Sequence, residues 1–191
     1  MKLPSARSVT VHEDIAALSA AVALRIAAAA KAAIAERGVF HLALAGGETP
    51  RRCYEHLREL PVEWDRVQVY FGDERCLPRG DAQRNDSMAD AALLRHVAIP
   101  AGNVHAIPAE RGPHIAAQEY VAALRQPLDL VLLGMGEDGH TASLFPGNAA
   151  TESGEPVVAV SGAPKPPPER VSLGMTVLNA ARDKVFLVAG A

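Results

Sequence analysis

His140 closes the turn Gly134-Met135-Gly136-Glu137-Asp138-Gly139, directly after the apolar run Leu130 to Leu133. An imidazole, with an ordinary pKa of about 6.5, can take a proton from water at neutral pH. Asp138, two residues earlier, is close enough to orient that ring or balance its charge. The glycines let backbone amides come close to a ligand. The same residues also suit a plain strand-to-helix connection that ends in a surface histidine, so other segments must decide between the two.

Two further glycine turns carry polar groups. After Gly46-Gly47 the chain reaches Thr49-Pro50, a helix opening whose unpaired amides and hydroxyl suit an anion such as phosphate. It has neither the lysine of a P-loop nor the third glycine of a dinucleotide-binding turn, and Glu48 repels an anion unless its side chain points away. Gly72 precedes Asp73, Glu74 and Arg75. A guanidinium there can grip a phosphate or carboxylate or stabilise an oxyanion, although such charge runs are commonly surface ion pairs. A fourth segment, Pro164-Lys165-Pro166-Pro167-Pro168-Glu169-Arg170, holds two cations on a proline-stiffened stretch read as a lid or rim. Cys76 has no histidine near it in sequence and is not expected to be a nucleophile.

These segments must be positioned by regular elements. The spacing predicts a helix over residues 14–37, stopped by Gly38, with Ile15, Leu18, Val22, Ile26 and Ile34 along one side. A strand is expected at residues 39–45 and a helix at 51–60, opened by Thr49 as cap and Pro50 as first residue. A second strand, 67–71, ends in a loop at Gly72 to Arg75, and a helix follows at 86–96. A helix at 114–124, a strand at 128–133, strands at 156–160 and 170–175, a short helix at 176–181 and a last strand at 184–188 complete the reading. Apolar strands alternating with helices imply a parallel sheet covered on both faces, and ligands of open α/β sheets bind beyond the carboxyl ends of the strands. That rule gathers the three glycine loops.

The chain has 191 residues, a formal charge of −3 and no dense Lys/Arg tract, so a single domain with no nucleic-acid partner is expected. Two cysteines, without metal-type spacing, suit the reducing cytoplasm. Residues 16–35 are mostly apolar but carry Arg25 and Lys31, and they read as a buried helix with no membrane role.

Taken in order, the motifs resemble the 6-phosphogluconolactonase family. They are Leu44-Ala45-Gly46-Gly47-Glu48-Thr49-Pro50, Trp64, Gly72-Asp73-Glu74-Arg75, Arg84-Asn85, the segment Gly134 to Pro146 ending Ser143-Leu144-Phe145-Pro146, and Lys165 through Arg170. The resemblance implies a Rossmann-like open α/β sheet, mostly parallel, with helices on both faces, as in glucosamine-6-phosphate deaminases, ribose-5-phosphate isomerases and CoA transferase-like proteins. It further implies hydrolysis of 6-phospho-D-glucono-1,5-lactone to 6-phosphogluconate in the oxidative pentose phosphate pathway, without metal or organic cofactor. His140 falls where the family places its general base. Gly46, Gly47, Thr49, Arg75 and Lys165 fall where it binds the sugar phosphate. Arg75 is the candidate for steadying the oxyanion, Asp138 assists His140, and Asp73, Arg84 and Arg170 complete the expected substrate-binding set. The expected partner is the small phosphosugar lactone alone, bound by a monomer or weak homodimer.

Two departures from the family pattern stand out: Glu48 where serine is frequent, and an end at Ala191 where relatives continue through another strand and a helix. The nearest rival is a sugar-phosphate isomerase or deaminase, needing a carboxylate base such as Asp73 or Asp138; its relatives typically carry Asn-Glu-Pro where this chain has Ser143-Leu144-Phe145-Pro146. A non-catalytic sugar-phosphate binder is the second rival.

Overall fold

The computed structural model describes residues 8–124 and 127–190. Its larger sheet has the order β2-β1-β4-β7, formed by Val67–Phe71, Phe40–Leu44, Leu130–Gly134 and Asp183–Leu187, all parallel. Inward residues such as Leu42, Leu44, Val69, Phe71 and Leu130 through Leu133 are buried, as continuous apolar strands covered on both faces should be. Helix α1 (Ile15–Arg37) starts where Asp14 accepts a hydrogen bond from the Ala17 amide at 2.7 Å, and it stops at Gly38, left-handed at φ 77°. By length and composition alone α1 could cross a membrane. One face of it, through Val22, Ala23, Ile26, Ala30 and Ala33, packs into the core beside β1 and α2 (Glu48–Leu57).

The remaining strands depart from the expectation. Asp73–Arg75, expected as a loop, is a short strand, β3, that pairs antiparallel with β6 (Arg170–Leu173); β6 pairs antiparallel with β5 (Val157–Val160). The chain passes from one sheet to the other at Gly72, which donates to Leu44 O and accepts from Leu173 N, both at 2.8 Å. Helix α4 (Pro113–Val121) covers β5 and β6, and one buried cluster runs through both sheets. Three charged residues in a row look like a solvated turn in sequence; their partner strand lies almost a hundred residues downstream and is invisible to local pattern.

Two buried tyrosines pin the strand ends that feed the glycine loops. Tyr54 Oη accepts from Ala45 N at 2.8 Å and donates to Ala45 O at 2.7 Å. Tyr120 Oη does the same for Phe71, at 2.8 and 3.3 Å. Each satisfies a backbone donor and acceptor just where a strand stops pairing, and so fixes where the following loop leaves the sheet.

Candidate active site

The carboxyl ends of β1, β2 and β4 surround a cleft of about 200 Å³. Gly46 and Gly47 form one wall, Gly134 through Gly136 with His140 and Ala142 another, and Asp73, Arg75, Asn85 and Arg170 the third. Gly46, Gly47, Asp73, Arg75, His140 and Arg170 are thereby brought together from four separate segments.

His140 is held by its own turn. Its Nδ1 lies 2.5 Å from Asp138 Oδ1, an oxygen that also accepts the His140 backbone N–H at 3.3 Å. A carboxylate offers no proton, so Nδ1 carries the hydrogen, and in the neutral ring the lone pair is on Nε2. The hydrogen bond from His140 in turn holds the Asp138 carboxyl below its ordinary range, which keeps it charged. The ring leans on Phe145, centroids 4.4 Å apart. Gly136 is there for space: a Cβ on it would stand 2.2 Å from two atoms of the imidazole. Asp138 itself does not line this cleft.

The Gly46 wall is the anion cradle expected from sequence, displaced by two residues. Helix α2 begins at Glu48, with Gly47 as N-cap at φ 110°, and no side chain caps it. Among the described residues the N–H groups of Gly46 and Gly47 have no partner, so they and the helix terminus present uncompensated positive ends. Thr49 sits half-buried in the first turn, outside the cleft lining, and its position as cap is corrected to Gly47. Glu48 turns along the helix onto Arg51 and Arg52, whose hydrogen bonds pull its carboxyl down to about 2. Its charge is thus met locally.

Arg75 and Arg170 face each other across the β3–β6 pairing. Arg75 Nη1 donates to Gln83 O at 2.5 Å, while its Nε is buried without a partner. Arg170, itself buried, donates to Pro167 O at 3.1 Å and Lys165 O at 2.9 Å and lies 5.4 Å over the Phe145 ring. Burial first, and then the neighbouring Arg75, draw the Arg170 guanidinium below its ordinary value. Two cations are thus packed together in a chain of net negative charge, an arrangement that favours an anionic guest.

Arg84 is a correction. Its side chain is fully buried behind the cleft, and all five of its donors are engaged: with Asp86 twice, with Glu110, and with the carbonyls of Leu77 and Ile107. No donor remains for a substrate. Lys165 stands exposed on the proline strap, which contains a cis Pro166–Pro167 bond, and it does not line the cleft. Asp73 lines the cleft, but both its oxygens already hold a protein donor: Ser143 Oγ at 2.6 Å and Asn85 Nδ2 at 3.1 Å. This buried chain of contacts ties the His140 turn to β3 and to α3 (Asn85–Ala92). Glu74 points away from the cleft and accepts the amides of Arg75, Asn85 and Asp86; burial pushes its carboxyl up, to about 7, against those three donors. Ser143 and Asn85 were visible only as letters within motifs; their role depends on contacts between distant segments.

Burial raises the thiols of Cys53 to about 12 and Cys76 to about 11, which leaves neither with thiolate at neutral pH. Among the described residues no cluster of three or more His, Cys, Asp or Glu side chains is placed to hold a metal ion.

Comparison with known proteins identifies the family. Residues 13–191 match the family described as glucosamine-6-phosphate isomerases/6-phosphogluconolactonase. Among individual relatives, the 6-phosphogluconolactonase of Synechocystis sp. is 41% identical over 170 residues, 83% of this chain and 70% of that one. That of Mycobacterium tuberculosis is 36% identical over 200 residues, covering 96% and 81%. Among solved structures, 6-phosphogluconolactonase from Leishmania guyanensis superposes with a TM-score of 0.88 at 34% identity, covering 97% of this chain and 82% of that one. The Thermotoga maritima enzyme gives 0.85 at 29% identity, covering 91% and 81%.

Proposed function

The chain belongs to the glucosamine-6-phosphate isomerase/6-phosphogluconolactonase family, and from that premise we propose that it hydrolyses 6-phospho-D-glucono-1,5-lactone to 6-phosphogluconate, with His140 activating water. The observation that carries the mechanism is the His140–Asp138 pair at 2.5 Å, on a cleft whose other walls are an uncapped helix start and two guanidiniums. His140 Nε2 takes a proton from water as the oxygen attacks the lactone carbonyl. Asp138 stabilises the imidazolium that forms, as a charged partner on the far nitrogen. Arg75, whose buried Nε awaits an acceptor, meets the tetrahedral oxyanion. Collapse breaks the bond between the carbonyl carbon and the ring oxygen, which takes the proton from His140 and becomes a hydroxyl, and the new acid gives its own proton to solvent and leaves as its carboxylate. The phosphate rests on the Gly46 and Gly47 amides and the α2 terminus, with Arg170 and, from the strap, Lys165 as counter-charges.

This reading requires no cofactor and no macromolecular partner. The two free cysteines suit a cytoplasmic enzyme. An isomerase or deaminase would need a carboxylate free to abstract a carbon-bound proton, and the commitments of Asp73 and Asp138 speak against either in that role.

The test is an assay of the purified protein with lactone freshly made from glucose 6-phosphate. Production of 6-phosphogluconate above the spontaneous rate is expected; release of ammonia from glucosamine 6-phosphate, with no lactone hydrolysis, would overturn the assignment. Lys165→Ala should raise KM about three- to tenfold and change kcat little, the signature of a lost ground-state phosphate contact. An unchanged KM would remove Lys165 from the site.

A further inference from the structure

Asn85 opens α3 and is almost completely buried, yet it lines the cleft. Its Nδ2 donates to Asp73 O at 2.9 Å and to Asp73 Oδ1 at 3.1 Å. Both of those atoms are acceptors only, so the amide cannot be turned round and Oδ1 points the opposite way. There it lies against Gly46, where a Cβ would come within 2.0 Å of it. Among the described residues Asn85 Oδ1 receives no hydrogen bond. The residue is held from behind as well, since the Asn85 backbone N–H donates to Glu74 Oε1 at 2.7 Å.

Apart from His140 Nε2, kept for water, the cleft's other free groups are donors suited to anionic oxygens: the Gly46 and Gly47 amides and the two guanidiniums. Asn85 Oδ1 is a fixed neutral acceptor beside them and calls for a donor on the ligand. On a phosphorylated sugar lactone the donors are its hydroxyls. We propose that Asn85 is a specificity-determining residue whose Oδ1 accepts a hydrogen bond from one ring hydroxyl of the substrate. A substrate without that hydroxyl covers the acceptor, shutting it off from water, and leaves it unpaired, which is how a site of this kind discriminates. Gly46 is then required on two counts, since its backbone approaches the phosphate and its missing side chain makes room for the Asn85 oxygen.

The proposal rests on the lactonase reading, and substrate analogues separate the two. Lactones lacking the hydroxyl at C2, C3 or C4 are made from the corresponding deoxyglucose 6-phosphates, and kcat/KM is measured beside the parent compound. The wild-type protein is expected to lose about tenfold on at least one of them. Asn85→Ala should abolish that discrimination to within about twofold, whereas Asn85→Asp, which keeps an acceptor oxygen, should retain most of it even as the lost donation to Asp73 lowers its overall rate. A merely structural Asn85 would depress every substrate equally. Undiminished discrimination in Asn85→Ala overturns the assignment, and so does wild-type protein that accepts the parent and all three analogues equally, a result needing no variant to fold. If wild-type protein hydrolyses none of the lactones, the lactonase reading fails and the Asn85 role fails with it.

Discussion

Replacing His140 with alanine is expected to lower kcat for lactone hydrolysis by about two to four orders of magnitude, the usual contribution of a positioned general base. Affinity for 6-phosphogluconate should stay within a few-fold of wild type. The split follows from the layout: the phosphate contacts assigned to Gly46, Gly47 and Arg170 lie on other segments, and Asp138 loses only its ring partner. A helper variant sharpens the test. Gly136→Ala leaves His140 in place chemically but puts a methyl group 2.2 Å from the ring as it now sits, so the imidazole must move and kcat should fall with product binding again retained. Stopped-time assays corrected for spontaneous hydrolysis, with calorimetry for the product, read both numbers. A His140→Ala protein as fast as its parent would show that some other group activates water.

The second large effect falls on stability. Arg84 is fully buried and compensates Asp86 and Glu110 directly and Glu74 at 3.8 Å. Arg84→Ala would leave Asp86 without its cation and Glu74, its side chain wholly out of solvent, without one nearby, while Glu110 keeps Arg79. Removing one partner of a buried ionic cluster costs about 3–5 kcal/mol, because the remaining charge stays buried and unpaired. Denaturant unfolding should therefore show a markedly lower midpoint at unchanged slope. The motif Arg84-Asn85 suggests instead a substrate-binding guanidinium. That alternative predicts near-normal stability and a raised KM, so the unfolding midpoint separates the two.

The contrast between Arg84 and Asn85 shows where local reading stopped. Adjacent residues of one motif divide their work: the larger and more charged one braces the α3 terminus, and the smaller one reaches the cleft. Nothing in residue type announces this, because a guanidinium suits a phosphate and a buried carboxylate cluster equally well. The same ambiguity covers Asp73, which as a lone letter could be a base, and which in the fold is occupied by Ser143 and Asn85. Glu48 is the converse case: its threat to an anion site disappears once Arg51 and Arg52, three and four residues on, are seen to face it on the helix.

What the sequence determined by itself was whatever depends on short-range order. Apolar runs ending in glycine located β1, β2 and β4; Asp14 and Gly38 marked the ends of α1; and the glycine turn before His140 announced the base with its carboxylate two residues away. The strand and helix ends are decided by backbone sterics and periodicity within about one turn or strand, and the spacing of His140 and Asp138 by the two residues between them, whereas the role of His140 as base is part of the proposal. Tertiary structure alone decided that Asp73–Arg75 is a strand, that Arg75 and Arg170 stand opposite each other, that Arg84 faces inward and that Asn85 offers an oxygen to the cleft. Those outcomes depend on which distant segments pair across β3 and β6 and on which charges are left out of water, and desolvation and pairing over that span leave no trace in local pattern.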